Sequence, residues 1–167
     1  TEARRARLTF GPAYKTVRET LVCHPDVARI TEPADLAGLD LVVVAGSSHA
    51  ETLARLQAEH AGIEYTTRPS PSALRLIERV SRGQHDCTIA DSNVVALARL
   101  EHPELTTPLN LSEDQTFAWV LPQPLSDADD PDAFATWLDA FFADAHRTGM
   151  LAELDERWYG HAGDFDY

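Results

Sequence analysis

Three times between Asp40 and Glu101 a short apolar run is followed by a turn and then by a stretch with helical spacing, and this alternation limits the fold more than any other feature. The first run, DLVVVA from Asp40 to Ala45, is β-branched and closed by Gly46, as expected of a strand buried on both faces of a parallel sheet. GSSHAETLARLQAEH follows, with serines at the helix entry, Glu51 in the first turn, and Leu53 and Leu56 at helical spacing before Gly62. Ile63 to Thr67 is a second strand. Ser70 and Pro71, a capping serine and a proline at the first helical position, open a helix carrying Leu74, Ile77 and Val80 that Gly83 ends. His85 to Ala90 is a third strand, and Asp91-Ser92-Asn93 caps a helix bearing Val94, Val95, Leu97 and Leu100.

Strand and helix alternating at this spacing predict an α/β fold: a parallel sheet with helices on its faces and right-handed crossovers between strands. Ligands of such sheets gather at the carboxyl ends of the strands. The remainder is patterned differently. TFAWVLP (Thr116 to Pro122) reads as a strand, and the acidic DADDPD turn reads as a solvated helix start, with Asp130 as cap and Pro131 at the first helical position. The helix it opens places Phe134, Trp137, Leu138 and Phe141 on one face. A shorter helix after Gly149 carries Met150, Leu151, Leu154 and Trp158, and the polar GHAGDFDY stretch reads as a linker.

With 167 residues, 44% of them hydrophobic, the chain has room for one ordinary domain or two small lobes. Its 27 acidic residues against 14 basic ones leave a formal charge of −13, which repels phosphate backbones and argues against nucleic acid as a partner. No apolar run approaches the roughly 20 residues that cross a bilayer. The opening TEARRARLTF has neither an initiator Met nor a leader, so an upstream segment is expected. Cys23 and Cys87 are the two cysteines; they read as buried core thiols, and a bridge between them requires neighbouring strands.

Several groups have both a chemical and a structural reading. Gly46-Ser47-Ser48, where a buried strand hands over to a helix, can present backbone N–H groups and hydroxyls to an anion such as a carboxylate, or Ser47 or Ser48 can simply cap the helix. Asp91 ends a strand where a crevice belongs and can accept hydrogen bonds from a ligand ammonium, or it too can cap. Arg4, Arg5 and Arg7 form the densest positive charge, suited either to a carboxylate or to solvent. The seven histidines are scattered; His49 and Glu51, the nearest histidine–acid pair, lack the i, i+4 spacing of a helical metal pair, and no metal or cofactor is expected. No stretch offers a carboxylate pair, an activated nucleophile or a phosphate loop, so no catalytic residue is assigned.

TEARRARLTFGPAY, DLAGLDLVVVAGSSHAE, LIERVSRGQHDCTIADS and GMLAELDERWYG, in that order, resemble successive signatures of family 3 extracellular solute-binding proteins. The resemblance implies a periplasmic-binding-protein-like fold of type II: a parallel-sheet Rossmann-like lobe with helices on both faces, plus remnants of a second lobe. It implies further that Arg4 of TEAR and the Gly46-Ser47-Ser48 loop hold an amino acid's carboxylate, and that Asp91 of TIADS meets its ammonium. The TIADS segment, HPEL (His102 to Leu105) and the GHAGDFDY junction are more closely similar to the binding module of the membrane-bound lytic murein transglycosylase F family.

In that family the junction leads into a lysozyme-like catalytic domain with a glutamate–serine signature, and this sequence contains no Glu-Ser dipeptide. The resemblance therefore implies a regulatory module, not an enzyme, that binds an amino acid or muropeptide and belongs to a periplasmic parent attached to the outer membrane. It divides the chain into a lobe-one remnant and first crossover (1–25), an α/β lobe two (26–109), a second crossover with the last strand and helices of lobe one (110–159), and a linker (160–167). A free-standing amino-acid receptor of an ABC importer is the alternative with the same fold.

Overall fold

The computed structural model describes residues 8–70, 72–121 and 133–159. In chain order the elements are β1 (Phe10–Val17), β2 (Glu19–Cys23), β3 (Leu41–Val44), α1 (Ser48–Glu59), β4 (Tyr65–Arg68), α2 (Ala73–Ser81), β5 (Cys87–Asp91), α3 (Ser92–Glu101), β6 (Gln115–Val120), α4 (Ala133–Arg147) and α5 (Met150–Tyr159). They fall into two compact units, one spanning Val17–Asp114 and one holding the described parts of 8–16 and 115–159.

The Val17–Asp114 unit is built on a four-stranded sheet of order β2-β5-β3-β4. β3 runs parallel to both β4 and β5, as the alternation requires, while β2 lies antiparallel to β5, with Glu19 opposite Asp91 and Cys23 opposite Cys87. The sheet is therefore mixed: a strand preceding the alternating segment joins its edge. Residues 106–111 continue the pairing beyond β2 through bridges of Cys23 to Thr106 and of Thr20 to Asn110.

Alternation along each strand divides the core. Leu21, Cys23, Leu41, Val43, Cys87 and Ile89 pack on one face with Leu53 and Leu56 of α1. Val22 and Ala90 pack on the other with Ile77 and Val80 of α2 and Val95 and Ala98 of α3. Helices thus cover both faces, which is why β3 reads as an unbroken apolar run.

The helices start and bury differently from their sequence reading. α2 begins at Ala73 with Ser72 in the cap position, two residues after Ser70, and its buried side chains are Leu76, Ile77 and Val80 while Leu74 is exposed. Pro71 lies outside the described residues. α3 buries Val95, Ala96 and Ala98 and exposes Leu97 and Leu100, because its small residues are what fit against the sheet. The two cysteines are not free thiols but a disulfide. Cys23 gives its backbone N–H and C=O to Thr106 on the far side, so its pairing with Cys87 is of the non-hydrogen-bonded kind, where opposing Cα atoms approach most closely, here 4.1 Å.

In the second unit β1 pairs with β6, and α4 buries Leu138, Phe142 and Ala145. Tyr14 stacks on Phe142 and Trp119 meets its edge, and a Cβ at Gly11 would come within 2.8 Å of the Leu138 Cδ2 methyl, which would have to shift. Leu138 is thus the inward member of the expected α4 face. Phe134, Trp137 and Phe141 form an exposed ring stack instead. On α5, Asp155 pairs with Lys15, whose ammonium also lies over the Tyr159 ring. The expected cap Asp130 with Pro131 and the GHAGDFDY linker lie outside the described residues.

Candidate ligand-binding site

Parallel strands bring their carboxyl ends to one edge of a sheet, so the turn after β3 and the end of β5 share an edge of the Val17–Asp114 unit. At the first, Gly46 has φ of +70°, a left-handed conformation in which glycine avoids the Cβ penalty of other residues. Ser47 then caps α1: its hydroxyl donates to the Val44 carbonyl at 2.7 Å and accepts from the Ala50 amide at 3.3 Å. The capping reading is correct for this side chain. Glu51 N–H returns to the Ser47 carbonyl, so the amides of Ser48 and His49 are the ones at this helix start left without an acceptor among the described residues.

At the second, Asp91 stands in the cap position of α3 yet makes no side-chain capping bond. Its carboxylate instead meets His49 Nε2, with Oδ1 at 3.3 Å, and the side chain keeps 24% of its surface exposed. Ser92 does the joining at this corner: its amide donates to the Arg18 carbonyl and its hydroxyl accepts from the Arg18 amide. The capping alternative for Asp91 is thereby set aside by geometry, and a short carboxylate remains at the edge beside the α1 start. Arg4 lies outside the described residues.

Next to Asp91 on the same face is Glu19, its direct cross-strand partner. Glu19 is 1% exposed and accepts from the Thr52 hydroxyl of α1 at 2.5 Å, with its other oxygen, Oε1, unpartnered among the described residues. No group of three or more His, Cys, Asp or Glu side chains is placed to hold a metal ion among the described residues.

No protein-family model matches the chain. A protein of Maricaulis maris (strain MCS10) named membrane-bound lytic murein transglycosylase F is 42% identical over 167 residues, which is 100% of this chain and 35% of that protein. The chain is homologous to membrane-bound lytic murein transglycosylase F. Proteins of the same name from Yersinia pestis (strain Pestoides F) and Aeromonas salmonicida (strain A449) are 34% and 33% identical over 162 and 167 residues, 96% and 100% of this chain and 32% of each protein. The chain thus spans about a third of the length of the transglycosylase F relatives it matches.

Solved structures show the fold. A putative binding component of an ABC transporter from Wolinella succinogenes, complexed with lysine, matches with a TM-score of 0.77 at 23% identity, covering 95% of this chain and 66% of that one. An ancestral amino-acid-binding protein, precursor of cyclohexadienyl dehydratase, matches at 0.75 with 16% identity, over 95% of this chain and 65% of that one. The chain has the fold of type II periplasmic amino-acid-binding proteins. No helix among its described residues is long and apolar enough to cross a membrane.

The sequence singles out Gly46, Ser47, Ser48 and Asp91 at these strand ends, but not the pairing of His49 with Asp91 or of Thr52 with Glu19. His49 and Asp91 are 42 positions apart and Thr52 and Glu19 are 33 apart, so no local spacing signals either pair.

Proposed function

We propose that the chain is the ligand-binding, regulatory module of a peptidoglycan lytic transglycosylase and takes an amino acid or cell-wall peptide at the carboxyl edge of its parallel strands. The ligand's carboxylate is received by the Gly46-Ser47-Ser48 turn, chiefly through the Ser48 and His49 amides and the helix dipole, with Arg4 as the guanidinium partner. Its ammonium is received by Asp91. The observation that carries this reading is that Asp91 occupies a helix cap position without capping, leaving a partly exposed carboxylate at the same sheet edge as the Ser48 and His49 amides, which have no acceptor among the described residues.

The chain performs no bond cleavage in this reading; its closure on ligand reports wall turnover to a catalytic domain of the same parent. Such coupling requires tighter binding to one state of the module than to the other. A periplasmic parent associated with the outer membrane is consistent with relatives named membrane-bound and with the Cys23–Cys87 disulfide, a bond that persists in oxidising compartments. A second reading, a free-standing importer receptor, is favoured by the lysine-complexed transporter component among the structural neighbours. Homology along the whole chain to transglycosylase F favours the first.

Thermal unfolding of the chain with each free amino acid and with a muropeptide digest tests these readings, because a ligand bound by the native state alone raises stability by about 2.7 kcal/mol at 100 times its Kd. Stabilisation by muropeptides that Asp91→Ala removes supports the wall-sensing module. Stabilisation by one free amino acid alone supports the receptor. Equal stabilisation of Asp91→Ala and the parent chain contradicts the assigned site.

A further inference from the structure

We infer that His49 is a positioning residue for Asp91: it holds one carboxylate oxygen so that the other meets a ligand ammonium, and it ties that carboxylate to the helix whose first amides face the ligand's carboxylate. The inference rests on the binding site proposed above and adds to it a residue that the family resemblance does not assign.

Glu19 and Asp91 are directly opposed on antiparallel strands, so both side chains lie on the α1 face, with the side chains of Leu21, Cys23, Cys87 and Ile89. Two carboxylates facing each other across a strand pair repel. α1 answers with two donors one turn apart: His49 to Asp91 at 3.3 Å and Thr52 to Glu19 at 2.5 Å. His49 is 7% exposed and its Nδ1 is buried without a partner among the described residues. A second N–H at Nδ1 would have no acceptor there, so the hydrogen on the ring belongs on Nε2 and points at Asp91.

A neutral imidazole N–H orients a carboxylate without cancelling its charge, which is the state an ammonium ligand needs. His49 also follows Ser48 directly in the first turn of α1, so the anion-binding amides and the cation-binding carboxylate move as one piece.

Two measurements test the inference separately from the site. The first needs no ligand: in a one-bond proton–nitrogen spectrum of the chain at about pH 8, above the ordinary histidine range, His49 Nε2–H gives a slowly exchanging cross peak that Asp91→Leu abolishes. An Nδ1–H pattern, or a peak unaffected by Asp91→Leu, overturns the inference. The second uses thermal unfolding and calorimetry with the twenty free L-amino acids and a muropeptide digest as probes. For any probe that binds, His49→Leu weakens affinity about tenfold or more, while His49→Gln, whose amide reaches the Nε2 position, stays within about threefold of the parent. Binding by His49→Leu equal to the parent overturns the positioning role and leaves Asp91 as the ligand residue. If no probe binds the parent chain, the proposed site fails, and the spectrum alone decides the His49–Asp91 bond.

Discussion

Side-chain hydrogen bonds at this molecule's turns divide into those that hold the backbone and those that leave a group available. Ser47 is of the first kind, its hydroxyl both donating and accepting within the β3–α1 turn. Asp35 is another: one of its oxygens accepts from the Thr31 amide, the Glu32 amide and the Thr31 hydroxyl. These bonds, led by the Thr31 amide, hold its carboxyl below the usual carboxylate range. A lowered folded value means that the charged form is favoured by folding. The contribution is full above the unfolded value of about 3.9 and is lost as pH falls through the lower folded value. Asp35→Asn is expected to be less stable than the parent at neutral pH, with the gap closing on acidification. Urea unfolding midpoints followed from about pH 6 downward check this, and a gap that widens in acid contradicts it. Asp91 is of the second kind. Cap position and capping function are separable, and only the three-dimensional partner, His49, shows which applies.

At the scale of elements, the alternating segment was legible: β3, β4 and β5 occur as expected, with boundaries displaced by one or two residues, and α1 and α3 follow the turns that announce them. Strand β2 was less so. Its residues ETLVC mix Glu19 and Thr20 with three apolar side chains, yet all five are buried, because α1 supplies Thr52 for Glu19 and the edge segment supplies Asn110 for Thr20. A polar residue buried with a remote partner looks, in sequence, like a residue of a loop. Leu74 and Leu76 show the same limit: either fits helical spacing with Ile77 and Val80, and the direction of the sheet decides for Leu76.

The disulfide belongs to this scale as well, since it staples β2 to β5 and closes a loop with a sequence separation of 64. Links of this kind typically stabilise by roughly 2–4 kcal/mol, mainly by constraining the unfolded chain. Chemical denaturation of Cys23→Ala/Cys87→Ala against the oxidised parent is expected to show a loss in that range. The same loss should appear when the parent is unfolded under strong reductant, and equal midpoints in oxidised and reduced parent would exclude the staple.

For the whole molecule, the two units differ in how much apolar surface they bury. Among the described residues of the second unit, the buried hydrophobic side chains are Leu138, Phe142 and Ala145, whereas the Val17–Asp114 unit encloses two clusters on the two faces of one sheet. Resistance to local opening follows buried contact. Native-state hydrogen exchange is therefore expected to protect the amides of β2, β3 and β5 most strongly and those of β1 and β6 least. Comparable protection in both sheets would show that the second unit draws stability from elsewhere.

The sequence alone determined the α/β alternation, the burial of β3 and the turn at Gly46, because these depend on residues close together in the chain and on periodicities that local geometry imposes. It also placed Gly46, Ser47, Ser48 and Asp91 near strand ends, where a parallel sheet brings ligands. Tertiary structure alone decided that β2 joins antiparallel, that Cys23 faces Cys87, that Ser47 caps while Asp91 does not, and that His49 and Thr52 cover a pair of opposed carboxylates. Each of these depends on a contact between residues more than thirty positions apart or on a choice between two hydrogen-bond partners, and such energies exist only once the sheet has set the distances.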